Sequence, residues 1–398
     1  MINIGLESFR KTTNVPFWQT GFRPFFLLAA GYAVVVMFLW MGMYAFHWDL
    51  PLHQVSGMTW HGHEMVYGYV LAVVAGFLLT AVRNWTKLQT ADGYLLRALV
   101  LFWLVGRIPP LTPVLAYFQA FGDVLFDLFF LIVIAAPIIH RKMHRQWPVL
   151  VILLALLMMN VTYYLGQFEL LAVKPRQVLY ISLYLVLNLV FIFTRRLIPN
   201  FINSALKPQE PLKNRVFLDK VLMPLFVLFS LDQVFFKADR IGLGLSVILF
   251  VLSLIRLKDW YRKGIWSRHL IWSLYMSYGL LVFGFLLHIL AYYFGLSPFL
   301  PLHLFTIGGI GLVTISMMAR VSFGHTGRNV LEEIQATKWL FWGMLGVVLF
   351  RVILPVFWPS LGVYFVEVAM VLWMLTFGLF FYRFVGILVR KRADGMYG

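Results

Sequence analysis

The chain has 398 residues, of which 61% are hydrophobic and 12% charged, with a mean hydropathy of +0.83; soluble domains hold roughly 45–50% and 25%. This balance excludes a soluble domain and reads as all-α, a polytopic membrane helix bundle. The net charge of +17 does not indicate a nucleic-acid partner, because Lys and Arg fall in short connections between apolar runs, and the absence of cysteine excludes disulfides, thiolate metal sites, Cys-ligated iron–sulfur clusters and covalently attached haem.

The first twenty residues are mixed and polar, with no short apolar core before a small-residue cleavage site, so no removable signal peptide is expected. Apolar runs of about 18–25 residues predict about twelve transmembrane helices. In chain order these are 22–46, 60–82, 94–115, 118–139, 147–166, 177–197, 217–236, 240–256, 269–294, 299–319, 336–357 and 361–389. The connection 198–216, with Pro199, Pro208 and Pro211, divides a single membrane domain into two six-span halves, 1–197 and 217–398. The halves share no convincing sequence repeat. Alternate connections carry the basic residues: Arg83 and Lys87, Arg141 to Arg145, Arg195 to Lys220, Arg256 to Arg268, Arg320 to Lys338, and Arg390 to Arg392. The others hold only Lys174, Arg176, Lys237 and Arg240, so the positive-inside rule predicts both termini in the cytoplasm.

The second run opens with Trp60-His61-Gly62-His63-Glu64-Met65. Two imidazoles and a carboxylate in an apolar span are costly, and such groups are usually turned inward and used. Imidazole is the commonest side-chain ligand for transition metals and for haem iron. The predicted topology sets His61, His63, His288 and His303 at one depth in the outer half of the membrane. These four are the candidate metal ligands, with His288 the first to be given a purely structural role. At 100° per residue His61 and His63 point nearly opposite ways if both are helical. Either they serve two neighbouring centres, or His61 lies in a pre-helical turn and both ligate one metal. Glu64 and Tyr67, on the same helix, are the candidate catalytic groups, and protons are expected to arrive from outside past Glu64. After His303, Thr306, Gly308, Gly309 and Gly311 leave room for another helix or for a flat macrocycle.

A second polar cluster gathers on the cytoplasmic side: Arg23, Asn84-Trp85, Arg195-Arg196, Arg320, His325 and Arg328. Snorkelling to lipid headgroups explains it. So does binding of haem propionates or another anion by Arg23, Arg320 and Arg328, with His325 as a ligand. Matching depths also predict two ion pairs within the spans, Arg107–Asp127 and Arg351–Glu367.

Taken together, Pro16-Phe17-Trp18, Trp60 to Met65, Gly76 to Val82, Asn84-Trp85-Thr86, Arg195-Arg196, His303 to Gly311 and Met317 to Arg328 resemble the NnrS family; Arg83 stands where its pattern has Pro. The resemblance implies a multi-pass protein of the bacterial inner membrane carrying non-covalent haem b and copper, with a role in nitric oxide metabolism or resistance to nitrosative stress. By position it implies that His61, His63, His303 and His325 are the functional histidines. It leaves open which of them hold haem and which copper, and whether nitric oxide is reduced. Reduction would draw electrons from quinol or a periplasmic donor. The alternatives are a haem-based sensor, an assembly factor delivering haem or copper, and a copper or anion transporter in which Met58, Met65, Met317 and Met318 pass Cu(I).

Overall fold

Among the described residues, ten helices of the computed structural model are long and apolar enough to cross a membrane, one shorter apolar helix, Gly93–Val105, adds to them, and a further helix, Val216–Leu231, stands where the remaining predicted span lies. The described residues are 13–207, 210–212, 214–236, 239–330 and 337–398; Pro208 and Lys237 lie outside them. The helices are α1 Phe22–Ala45, α2 Gly57–Thr86, α3 Gly93–Val105, α4 Pro113–His140, α5 His144–Gln167, α6 Pro175–Leu206, α7 Val216–Leu231, α8 Asp239–Trp260, α9 His269–Phe294, α10 Phe299–His325, α11 Thr337–Phe357 and α12 Pro359–Val389. No strand occurs among the described residues.

The two short helices have local causes. Helix α3 stops at Val105 rather than near 115, because Gly106, Pro109 and Pro110 follow it. The regular part of α7 stops at Leu231, where Asp232 opens a π-type turn that carries the helical run to Phe236, and Asp219, Lys220 and Asp232 interrupt its apolar character. Two others overrun their predicted ends. Helix α6 continues through Pro199 to Leu206, so Arg195 and Arg196 sit on a helix instead of in a loop. Helix α10 runs to His325 and takes Arg320 with it.

Helix α2 begins earlier than predicted. Ser56 caps it, its Oγ accepting from the Thr59 N–H at 3.2 Å, and the first turn forms at Gly57. His61 is therefore helical, and the pre-helical alternative is set aside.

Three wide, π-type turns lie within helices, Glu64–Val70 in α2, Leu304–Gly311 in α10 and Leu349–Ile353 in α11, and a fourth, Asp232–Phe236, prolongs α7. Such turns hold one extra residue per turn and often mark functional positions. The turn in α11 has a sequence cause. Pro355 lacks an N–H and its ring crowds the carbonyl four residues back, which is that of Arg351.

One local correspondence links the halves. His63 ends the α-helical start of α2 and His303 that of α10, and a wide turn follows each. The same interval of 240 residues separates His63 from His303, Gly68 from Gly308 and Thr86 from Thr326. Thr86 and Thr326 each donate from Oγ1 to the carbonyl four residues earlier, at 2.7 and 2.6 Å.

Packing divides the described residues into two units. The first holds those up to Leu185 with Val321–Arg328 and Phe377–Gly398; the second holds those of Val186–Arg320 and Asn329–Thr376. In the first, α2 packs on α1 and α4, and α4 on α3 and α5. In the second, α9 packs on α8, α10 and α11, and α7 on α8.

Candidate functional site

The first unit encloses an ion network built from four helices and one turn. On α4, Gln119, Asp123 and Asp127 are four residues apart and share a face. On α5, Asn160 shares a face with Tyr163 and Tyr164, three and four residues on. His63, Glu64 and Tyr67 come from α2, Tyr32 from α1, and Arg107 from the turn after α3. All are buried except Tyr32, which is partly so.

Glu64 is the hub. Its Oε2 accepts from Arg107 and, at 2.5 Å, from the Tyr32 hydroxyl; its Oε1 accepts from the Gln119 amide at 2.8 Å and faces Nδ1 of His63 at 3.0 Å. Arg107 bridges Glu64 and Asp123, and Asp123 accepts a further bond from the Tyr164 hydroxyl at 2.5 Å. The guanidinium also lies 5.6 and 5.7 Å from the ring centres of Tyr32 and Trp103. This corrects the predicted Arg107–Asp127 pair. Because α3 ends early, Arg107 turns toward Glu64 and Asp123, while Asp127 accepts from the Asn160 amide at 2.7 Å.

Asn160 thereby has its amide nitrogen engaged and presents Oδ1 to Nε2 of His63, at 3.1 Å. Both ring nitrogens of His63 thus face side-chain oxygens. Tyr163 and Tyr67 stack on that ring at 4.4 and 5.1 Å. A metal would have to displace one of these partners. Tyr67 is engaged as well, its hydroxyl 3.0 Å from the Leu156 carbonyl and 2.7 Å from Ser182 Oγ. His61 faces elsewhere, stacked on Trp40 at 4.7 Å. The two imidazoles of the motif therefore serve different surroundings, as their helical spacing requires.

Glycines open the space for this network. A Cβ on Gly68 would come 2.5 Å from Arg107 Nη1, 2.6 Å from the Tyr32 ring and 3.0 Å from Glu64 Oε2. Asn160, Gln119 and Tyr164 were absent from the sequence candidates. The four-residue spacing of polar groups in otherwise apolar helices was the available signal.

The second unit holds the other two histidines. His288 places Nδ1 3.0 Å from Ser246 Oγ and Nε2 3.2 Å from Gln233 Oε1, which suits a hydrogen-bonded core residue. His303 is different. Its Nδ1–H donates to the Phe299 carbonyl at 2.7 Å, which leaves the lone pair on Nε2, and Arg351 Nη2 donates toward that nitrogen at 3.3 Å. The apolar cluster of Leu287, Leu300, Leu304, Val348 and Val352 adjoins the pair. The glycines after His303 are taken up by helix packing. A Cβ on Gly308 would meet Leu280 at 2.9 Å, and one on Gly311 would meet Met344 at 2.7 Å.

The predicted anion site divides. Arg23, fully buried, donates to the main-chain oxygens of Leu388, Arg390 and Gly398 at 2.8, 2.7 and 3.1 Å. Arg328 donates to Thr326 Oγ1 at 2.8 Å. Arg320 belongs to the second unit and lies 3.9 Å over the Phe201 ring. His325 packs 5.8 Å from Phe22 while its carbonyl accepts from Arg392. Arg392 also clasps Asp394, and that hydrogen-bonded pairing holds the exposed carboxyl at about 2. As placed, these arginines bind the chain itself.

Haem fits this donor chemistry at one residue. An imidazole with Nδ1 tied to a carbonyl, so that Nε2 carries the lone pair, is of the kind that would hold haem iron, and His303 has that form with the Arg351 guanidinium facing Nε2. For copper the fit is poorer: among the described residues no group of three or more His, Asp or Glu side chains is arranged to hold a metal ion.

The NnrS protein family model matches residues 16–392, nearly the whole chain. No curated protein matches it. The chain belongs to the NnrS family and is a multi-pass membrane protein connected with nitric oxide.

Proposed function

We propose that this protein, in the bacterial inner membrane, binds nitric oxide at a haem held by His303 and detoxifies it by reduction. The observation that carries the reading is the His303 ring, fixed in one tautomer by the Phe299 carbonyl with its other nitrogen presented beside apolar side chains. Nitric oxide is small and weakly polar, so it partitions into the bilayer and can reach such a site laterally. Bound haem would supply affinity for nitric oxide and one-electron chemistry. Reduction of two nitric oxide molecules to nitrous oxide and water consumes two electrons and two protons, the electrons coming from a quinol or a periplasmic donor.

The chain's own residues do the rest. Phe299 orients the imidazole and raises its basicity through Nδ1. Leu300, Leu304 and Val352 exclude water around it. In the first unit Glu64, held by donors on both oxygens, is read as an anchor for His63 and Arg107, and Tyr67 as a positioning group for the π-stacked ring. His61 stays a candidate for the copper that the family association brings, and no step is routed through it.

A visible spectrum and the iron and copper content of the purified protein test the reading. A Soret band that shifts on addition of nitric oxide, with nitrous oxide released in the presence of a reductant, is the expected result. His303→Ala should lose the band and His140→Ala should keep it. A protein without haem, or His303→Ala with full haem, overturns the reading.

A further inference from the structure

The guanidinium of Arg351 stands where a ligand of His303 would stand. Arg351 Nη2 is 3.3 Å from Nε2, the one ring nitrogen not engaged by the Phe299 carbonyl. A nitrogen lone pair can serve an N–H donor or a metal, not both at once. Arg351 also sits in the wide turn Leu349–Ile353, just ahead of Pro355, where backbone hydrogen bonding is already loosened. Its place is thus on a segment able to change pitch without unfolding a regular helix. Nothing comparable exists at His63, where both nitrogens face oxygens and the arginine, Arg107, is locked between two carboxylates.

We propose that Arg351 is a positioning residue that caps Nε2 of His303 and is displaced when iron binds, so that it sets how readily the imidazole accepts its ligand. This rests on the reading of His303 as the iron ligand. While the cap is in place, the guanidinium holds the ring in its ligating tautomer and keeps other electrophiles from the nitrogen. Its departure costs one charge-assisted hydrogen bond, equivalent to about tenfold or more in affinity.

The test titrates haem b into apo-protein in lipid nanodiscs and follows the Soret band. Arg351→Ala should bind about tenfold tighter than the wild type, and Arg351→Lys, which keeps a charge but reaches the ring less well, should fall between them. A second readout needs no haem. Diethyl pyrocarbonate should modify His303 several-fold faster in Arg351→Ala, measured by mass spectrometry, with His140 as the internal reference. Arg351→Met serves where the alanine variant does not fold. Unchanged or weaker haem binding in every Arg351 variant, or unchanged modification of His303, overturns the proposal. If His303→Ala binds haem as the wild type does, the reading of His303 fails instead, and the modification rates still report whether the cap exists.

Discussion

The helix junctions at His63 and His303 are built alike and finished differently. Each imidazole closes a short α-helical start, each is followed by a wide turn, and each has an arginine from the next helix or the turn after it nearby. At His63 the surroundings are ionic and closed: two carboxylates, a guanidinium, two amides and several tyrosine rings leave no ring nitrogen facing an empty orbital. At His303 one carbonyl and one guanidinium meet the ring against leucine and valine. The lesson is that a histidine's capacity to bind metal is set by what its two nitrogens already hold, and not by its place on a helix.

Four sets of substitutions press on that contrast. The largest effect is expected from replacing the histidines in parallel: His303→Ala should abolish haem content while His63→Ala leaves the iron-to-protein ratio unchanged. Equal loss in both would erase the distinction. Next comes the pair of arginines. Arg107→Ala strands two buried carboxylates and should destabilise by roughly 3–5 kcal/mol in thermal or denaturant unfolding in detergent. Arg351→Ala loses one hydrogen bond at a partly exposed position and should cost less, about 1–1.5 kcal/mol. Asn160→Ala removes the amide that joins His63 to Asp127 and should cost about 1–3 kcal/mol, while Gln233→Ala beside the half-buried His288 should cost less. The last is Gly68→Ala, whose new methyl must push Arg107 or Tyr32 aside for about 1–2 kcal/mol. A Gly68→Ala protein as stable as the wild type would show the network to be loosely held.

The spans were legible because eighteen or more apolar residues in a row have few other uses, and most helix ends lie within a few residues of expectation. The motif around His63 was legible because charged groups in such a run stand out. What surrounds it was harder to read. The depth argument put Arg107 in mid-helix opposite Asp127, but Gly106 and Pro109 end α3 early and redirect the side chain to Glu64 and Asp123. Asn160 and Gln119 were passed over because only ionisable groups were weighed, although amides are what orient the imidazole here. The wide turns have no residue code of their own, save at Pro355, so the register of everything beyond them was hidden as well.

Those wide turns carry a consequence for how such a chain tolerates length change. Each behaves as a single inserted residue absorbed without breaking the span, so removing that residue would restore a regular helix and leave the downstream side chains on their present faces, whereas a deletion in a regular stretch would swing them by about 100° about the axis. One deletion between 304 and 311 would thus be absorbed by straightening the turn, while one in the regular helix just beyond it would turn the remainder of α10, including Met317, Met318 and His325, toward other neighbours. Related chains that differ by one position within the turn would keep the same inner surface, while those that differ beyond it would share the membrane topology and present another.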